Sequence, residues 1–399
     1  MTLTWPRGQK KTRCRVFLWN LNHVLRVIDD AQVFVLEGTN QVRPRNFGNA
    51  LCSRSFKQQF PHFIAEEWQD QSYAHIIGTR DIYLGFRGHC YHFYVLDGQV
   101  IREPIEDMVT NREEADTLIC YHAKCIDDTE GTQNIVVRAS DTDIAIILLY
   151  HLRSFTATLW MDTGSNTRNS RRYINLSAIG EVLGPLLCQS LPAFHAFKGT
   201  DYTSAFVKKG KKRPFLKLEG SKETQRIFAN LALEDEVTGT NYNSLKAFTA
   251  TLYGARQKER DLSLNKYRHK LFQDTYGPKA TAKNLLGKLK GLDASALPPC
   301  ESEIAMHMNR SAFIARMWAN AHEKNIDQHP KLQDGWTQEG QEDQYTIVWF
   351  QGPQLPDSLI PEEGDMTEDS DDDLARSSDD EENFNSDDEE NFNSDDDVH

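Results

Sequence analysis

The chain has no apolar run approaching the roughly 20 residues that cross a bilayer. A membrane-spanning role is therefore not expected. It has no CxxC pair. Its seven cysteines, Cys14, Cys52, Cys90, Cys120, Cys125, Cys188 and Cys300, are odd in number. Neither a disulfide framework nor a zinc site is indicated. The opening MTLTWPRGQKKTRCRVFLW lacks the order and cleavage site of a signal peptide. These absences point to a reducing compartment, nucleus or cytoplasm, rather than secretion. No Ser-His-Asp or Cys-His set stands out as a nucleophilic centre.

Positive charge is short overall but not locally. The net charge is −14, yet residues 361–399 hold 19 of the 59 acidic side chains and one basic one, Arg376. Residues 1–360 thus carry 40 acidic and 44 basic side chains, a net +4. The body is mildly basic, which permits a nucleic-acid partner. In the tail, SDDEENFN at 378–385 recurs at 386–393, and a third copy begins at Ser394. Such a repeat buries too little apolar surface to fold. It reads either as a solvated tail or as a run of sites, Ser378, Ser386 and Ser394, for an acid-directed kinase.

What is present is organised around residues 134–149, NIVVRASDTDIAIILL. Ile135-Val136-Val137 reads as a buried strand, and Ile144 to Leu149, continued through Leu152, as a helix. Ser140, Asp141, Thr142 and Asp143 lie at the handover. In open α/β sheets that edge binds ligands. The plainer reading is a capping box, with Ser140 as N-cap and Asp143 three residues on.

Around this stretch the pattern alternates. A helix is expected over Val16–Val27, and a strand over Gln32–Leu36 that ends in Glu37. A helix is expected over Phe56–Trp68, with Pro61 marking its start proper. Strands follow at Asp81–Leu84 and Cys90–Leu96. A helix over Thr117–Lys124 is opened by Asn111 as N-cap with Glu114 at the third position. That box accounts for Glu114 but not for the crowding of Glu113, Glu114 and Asp116. A strand at Ala157–Met161 and a helix over Ile174–Leu187, interrupted at Gly184-Pro185, come next. Strands alternating with helices indicate an α/β fold with a largely parallel sheet. Residues 222–325 read as mostly helical. Trp318, Trp336 and Trp349 read as packing residues, His307 and His322 as structural or surface, and His195 as a buried structural histidine.

If the sheet is parallel, Glu37, Glu114, Asp116, Asp141, Asp143 and Asp201 gather on one edge. Carboxylates so crowded repel, and a divalent cation relieves them. Oxygen ligands select Mg²⁺ or Mn²⁺, and two such ions can cleave a phosphodiester.

EEAD, then SDTD, then GTDYTS, in that order, resembles the flap-endonuclease group of 5′-nucleases within the PIN-like superfamily. The resemblance implies metal-binding roles for Glu114 and Asp116, for Asp141 and Asp143, and for Asp201. Glu37 takes the place of an early strand-end Asp. Asp141, Asp143 and Glu114 are the implied catalytic residues. A closer likeness covers residues 30–350. NREEADT, SDTDI, LPAFHAFKGTDYTSAFVKKGKK and LPPCESEIAMHMNRSAFIARMW are similar to motifs of multicopy animal proteins that look derived from mobile elements, with Thr200 standing where a Cys is usual. Flap endonucleases carry a further Asp at the extreme N-terminus. Only Asp29 and Asp30 precede Glu37 here, so a shortened N-terminus and weak or absent activity are expected.

The segment Lys208, Lys209, Lys211, Lys212 and Arg213 follows Asp201. The resemblance implies a grip on duplex phosphates. A nuclear-localisation signal or solvated loop is the plainer alternative. Three regions follow: an α/β nuclease-type domain over 1–220, a helical extension over 221–350, and an acidic tail over 351–399. The expected function is two-metal phosphodiester hydrolysis on nucleic acid, DNA before RNA. The alternatives are a catalytically silent nucleic-acid-binding protein, or a scaffold working through its tail.

Overall fold

A computed structural model describes residues 36, 38, 41–42, 54–79, 81–86, 89–112, 115–128, 133–139, 141–164, 170–200, 202–233, 237–260, 262–276, 297–331, 335–338 and 345–348. The expected helix at 16–27, the strand at 32–36 apart from Leu36, Trp349 and the acidic tail lie outside them.

The first part is a helix on an antiparallel meander. Helix α1 (Arg54–Glu67) and the short α2 (Ala74–Ile77) pack on β1 (Ile82–Phe86), β2 (His89–Leu96) and β3 (Gln99–Pro104), ordered β1-β2-β3. Helix α1 does not begin at Pro61; it runs through it. Proline removes one helix donor, but aromatic packing spans the gap. Phe56 stacks on Phe60 at 5.3 Å, and His62 meets Phe86 edge-on at 4.6 Å. Strand β3 is not among the expected strands. Its signal is Asp97-Gly98, whose φ angles of 49° and 76° make the positive-φ hairpin turn.

The second part contains the central stretch. Helix α3 (Ala115–Asp127) precedes β4 (Asn134–Arg138), α4 (Thr142–His151) and β5 (Thr158–Thr163). Strands β4 and β5 are parallel, joined by α4 as crossover. The next strand, β6 (Arg172–Asn175), returns antiparallel to β5. The architecture is mixed α/β with small sheets and many helices, and this sheet is only partly parallel. Ile174, expected in a helix, pairs with Met161 instead. Its neighbours Arg172 and Tyr173 extend the strand until Asn175 caps the helix that follows. Ile135, Val137, Leu159 and Met161 point to one face, where α4 covers them with Ile144, Ile147 and Leu148.

Helix α5 (Leu176–Leu183) breaks at Gly184 (φ 76°), and α6 (Pro185–Lys198) begins at once. Every residue of α6 from Ser190 to Lys198 is buried. Around it lie α4, α8 (Lys222–Leu231) and α11 (Glu301–Ala319). Between them come α7 (Lys212–Glu219), α9 (Gly239–Leu252) and α10 (Leu264–Tyr276). One core cluster joins Phe194 and Phe197 of α6 to Phe228, Leu245 and Ile304, so it takes residues from both sides of position 220. Trp318 and Trp336 are 1% and 2% exposed, as packing residues should be. A last hairpin, β7 (Trp336–Gln338) with β8 (Tyr345–Ile347), is held by the buried Arg310, which donates to the carbonyls of Gly335 and Val348.

Asn111 is not a helix cap. Its side chain donates to Ile326 O (2.7 Å) and accepts from Ile326 N (3.1 Å), tying the segment before α3 to the one after α11. Beside it, Arg112 donates to the carbonyls of Thr117, Ala321 and Glu323.

Leu159 is fully buried between the sheet and α4. Leu159→Ala is expected to cost about 2–5 kcal/mol, read as a lower urea midpoint with unchanged slope.

Candidate functional site

The site is built where the central strand hands over to α4. Ser140 lies outside the described residues, and the N-cap is Asp141. Its Oδ1 accepts from the Asp143 backbone N–H at 3.1 Å. The cap is thus one residue later than expected. Asp141, with its extended backbone, already supplies the acceptor that the helix start requires.

Asp143 has a second partner. Its Oδ1 is 2.8 Å from His195 Nε2, with the side chains only 14% and 10% exposed. His195 Nε2 is also 2.9 Å from Lys211 Nζ. One ring nitrogen has a single in-plane position, holding either a proton or a lone pair. The carboxylate needs a donor, so Nε2–H donates to Asp143. The Lys211 ammonium then lies against the ring, 2.9 Å from Nε2 and 3.4 Å from Nδ1, and Nδ1 is the nitrogen left to accept from it. His195 is buried, as expected, but it is not merely packing. Its partner is 52 residues away in sequence, so no local spacing announces it.

The lysine segment is folded inward from this point. Gly199 ends α6 at φ 110°, and a Cβ there would meet Ala205 Cβ at 2.7 Å, so the chain doubles back on itself. Thr203 Oγ1 donates to Ala196 O. Lys198, 2% exposed, donates to Lys209 O at 2.9 Å and lies 4.8 Å from the Phe206 ring centroid. Burial, reinforced by Lys211 and Lys209, lowers its pKa to about 8. Lys209 sits over the Tyr253 ring at 4.6 Å, and burial lowers its pKa too. Lys208, Lys212 and Arg213 are exposed, the last two in the first turn of α7. A Cβ on Gly210 would meet nothing within 4 Å, so the backbone there is open to an approaching group. His307, pushed down to about 3 by burial, donates to or accepts from Ser204 and contacts Phe197 O at 2.7 Å, fixing this loop from α11.

Of the predicted site residues, Asp141 and Asp143 are together, with Lys211 joined to them through His195. Asp116 is buried in the first turn of α3. Glu37, Glu114 and Asp201 lie outside the described residues. Among the described residues, no group of three or more His, Cys, Asp or Glu side chains is placed to hold a metal ion. These residues alone do not fit a two-metal centre. Six cations, Lys198, Lys208, Lys209, Lys211, Lys212 and Arg213, stand on or beside the loop whose Lys211 meets His195, the partner of Asp143. The balance favours an anion.

Asp162 is an acid at the end of β5 that sequence reasoning passes over. Arg171 bonds it through Nε (2.9 Å) and Nη2 (2.8 Å), and Arg138 at 2.6 Å. The Arg171 hydrogen bond leads in holding its carboxyl down to about 2, with Arg138 adding to it. No family model, no curated protein and no solved structure matches the chain. Among the described residues, no helix is long and apolar enough to cross a membrane.

A depressed carboxyl pKa contributes stability that is present above its unfolded value, near 3.8, and is lost as pH falls through about 2. Asp162→Asn is therefore expected to flatten the fall in urea midpoint between those pH values, relative to the unsubstituted chain.

Proposed function

We propose that the chain binds nucleic acid, DNA before RNA, through phosphate contacts on residues 207–213, and that its PIN-like resemblance reflects a nuclease ancestry. One observation carries this reading: Lys211 is joined through His195 to Asp143. The strand-to-helix turn and the lysine segment, two features singled out independently in the sequence, are neighbours. Around that junction the inward lysines, Lys198 and Lys209, shape the loop, while Lys208, Lys212 and Arg213 face solvent. Phosphate contacts of this kind fix a protein on a backbone without reading sequence.

Divalent-metal-dependent phosphodiester hydrolysis is the second reading. The observation favouring it is that Asp141 and Asp143 share one turn at the end of a strand belonging to a parallel pair. It requires Mg²⁺ or Mn²⁺ held with help from Glu114, Asp116, Asp201 and Glu37.

Fluorescence anisotropy with a labelled DNA duplex tests the first reading. Lys212→Glu with Arg213→Glu is expected to weaken binding at least tenfold at low salt and to reduce the slope of log K against log[salt] by about 1–2. Unchanged affinity and slope contradict it. Mn²⁺-dependent cleavage of flap or single-stranded substrate, lost in Asp141→Ala, establishes the second reading; no cleavage in either protein ends it.

A further inference from the structure

The helices that pack on the β4-β5-β6 sheet share one core cluster with its inward residues Ile135, Val137, Leu159 and Met161. Val136, Trp160 and Arg138 point away from the buried Ile135, Val137 and Leu159, by the two-residue period of a strand. Asp162 and Tyr173 share that outward face, since Arg138 pairs with Asp162 and Asp162 with Tyr173. None of these outward residues belongs to a core cluster.

A solvent-facing side of a sheet normally carries polar side chains. This one carries Val136 (53% exposed) and Tyr173 (56% exposed), with Trp160 half-buried between their strands. Trp160 is directly opposite Val136, and Tyr173 is its diagonal neighbour on the next strand. The charge beside them is positive. Arg138 and Arg171 flank a single carboxylate, Asp162, that is itself 4% exposed, while the arginines are 57% and 36% exposed. The Arg171 guanidinium carbon lies 5.3 Å from the Tyr173 ring centroid. The two arginines are thus held in place before any ligand arrives, which lowers the entropy lost on binding.

We propose that this outer sheet face binds single-stranded nucleic acid, with unpaired bases stacking on Trp160 and Tyr173 and phosphates meeting Arg138 and Arg171. Exposed rings on a flat sheet together with arginines suit a strand whose bases are free, because every base has a π-face and every link a negative charge. The face uses none of the lysine-segment residues, and the observations that carry it are independent of those for the phosphate-binding reading. An acidic peptide would satisfy the arginines but leave the rings without planar partners.

The test uses the full chain with fluorescein-labelled dT20 and, in parallel, a 20-base-pair duplex. Tyr173→Ala is expected to weaken dT20 binding about tenfold, while Tyr173→Phe keeps it, because stacking needs the ring and not the hydroxyl. Duplex binding is expected to change less than twofold. Photo-crosslinking with an iodouridine-substituted oligonucleotide is expected to label Trp160 or Tyr173, and it needs no substitution in the chain. Unchanged dT20 affinity in Tyr173→Ala, equal loss for dT20 and duplex, crosslinks confined to residues 207–213, or tighter binding of an acidic peptide than of dT20 overturns the proposal. If Tyr173→Ala has no effect while Lys212→Glu with Arg213→Glu weakens binding, the sheet face fails and the lysine segment stands. The opposite pattern sustains the sheet face and removes the lysine segment.

Discussion

Helix α6 is buried along its last nine residues, and three of those residues are polar: Ser190, which donates to Leu187 O within the helix, His195 and Lys198. A buried polar group must find a partner or cost several kcal/mol. His195 finds Asp143 at the start of α4, and Lys198 finds the carbonyl of Lys209 in the loop that follows α6. These two bonds decide where the chain goes. The first ties α6 to the end of the central strand. The second folds the basic loop back over the helix it has just left. Gly199 and Thr203 make that reversal sterically and electrostatically feasible. Lys211 then arrives beside the Asp143–His195 pair as a consequence of loop geometry.

The electrostatics follow from that arrangement. Three lysines crowd around one end of α6, and mutual repulsion adds to desolvation in lowering the pKa of Lys198. The Asp143 carboxylate is the local counterweight. With it engaged by His195, the remaining positive charge is turned outward at Lys208, Lys212 and Arg213. An anion with repeating charges would complement them, which is the basis of the proposed phosphate contacts. The outer face of the β4-β5-β6 sheet carries a different chemistry, aromatic rings with arginines.

Much of this fold is legible wherever one physical signal dominates. In the 134–149 stretch the strand and the helix lie where local rules put them, but the strand is buried on one face only, with Val136 53% exposed, and the cap moves from Ser140 to Asp141. Helix α1 is legible, but its start is not, because a stack of aromatic side chains outweighs the lost donor at Pro61. The third strand of the meander escapes the pattern although Asp97-Gly98 carries the turn signal. Asn111 looks like a cap because of its local spacing, yet its partners lie beyond residue 320. His195 shows the same limit at the candidate site. Its burial follows from the apolar run around it, whereas its hydrogen-bond partner sits on another element and leaves no trace in the spacing. The expected meeting of six acids is accessible only in part: Asp141 and Asp143 do share a turn, and what they share it with is a histidine and a lysine.

The central claim is that Asp143, His195 and Lys211 act as one unit that couples the strand-to-helix turn to the basic loop. A double-mutant cycle on urea stability, pairing Asp143→Asn with Lys211→Met, measures that coupling directly. The account predicts a non-additive term of about 0.5–3 kcal/mol, the range for residues sharing one network. Costs that simply add, within about 0.3 kcal/mol, would mean that the acid and the lysine do not sense each other, and would contradict it.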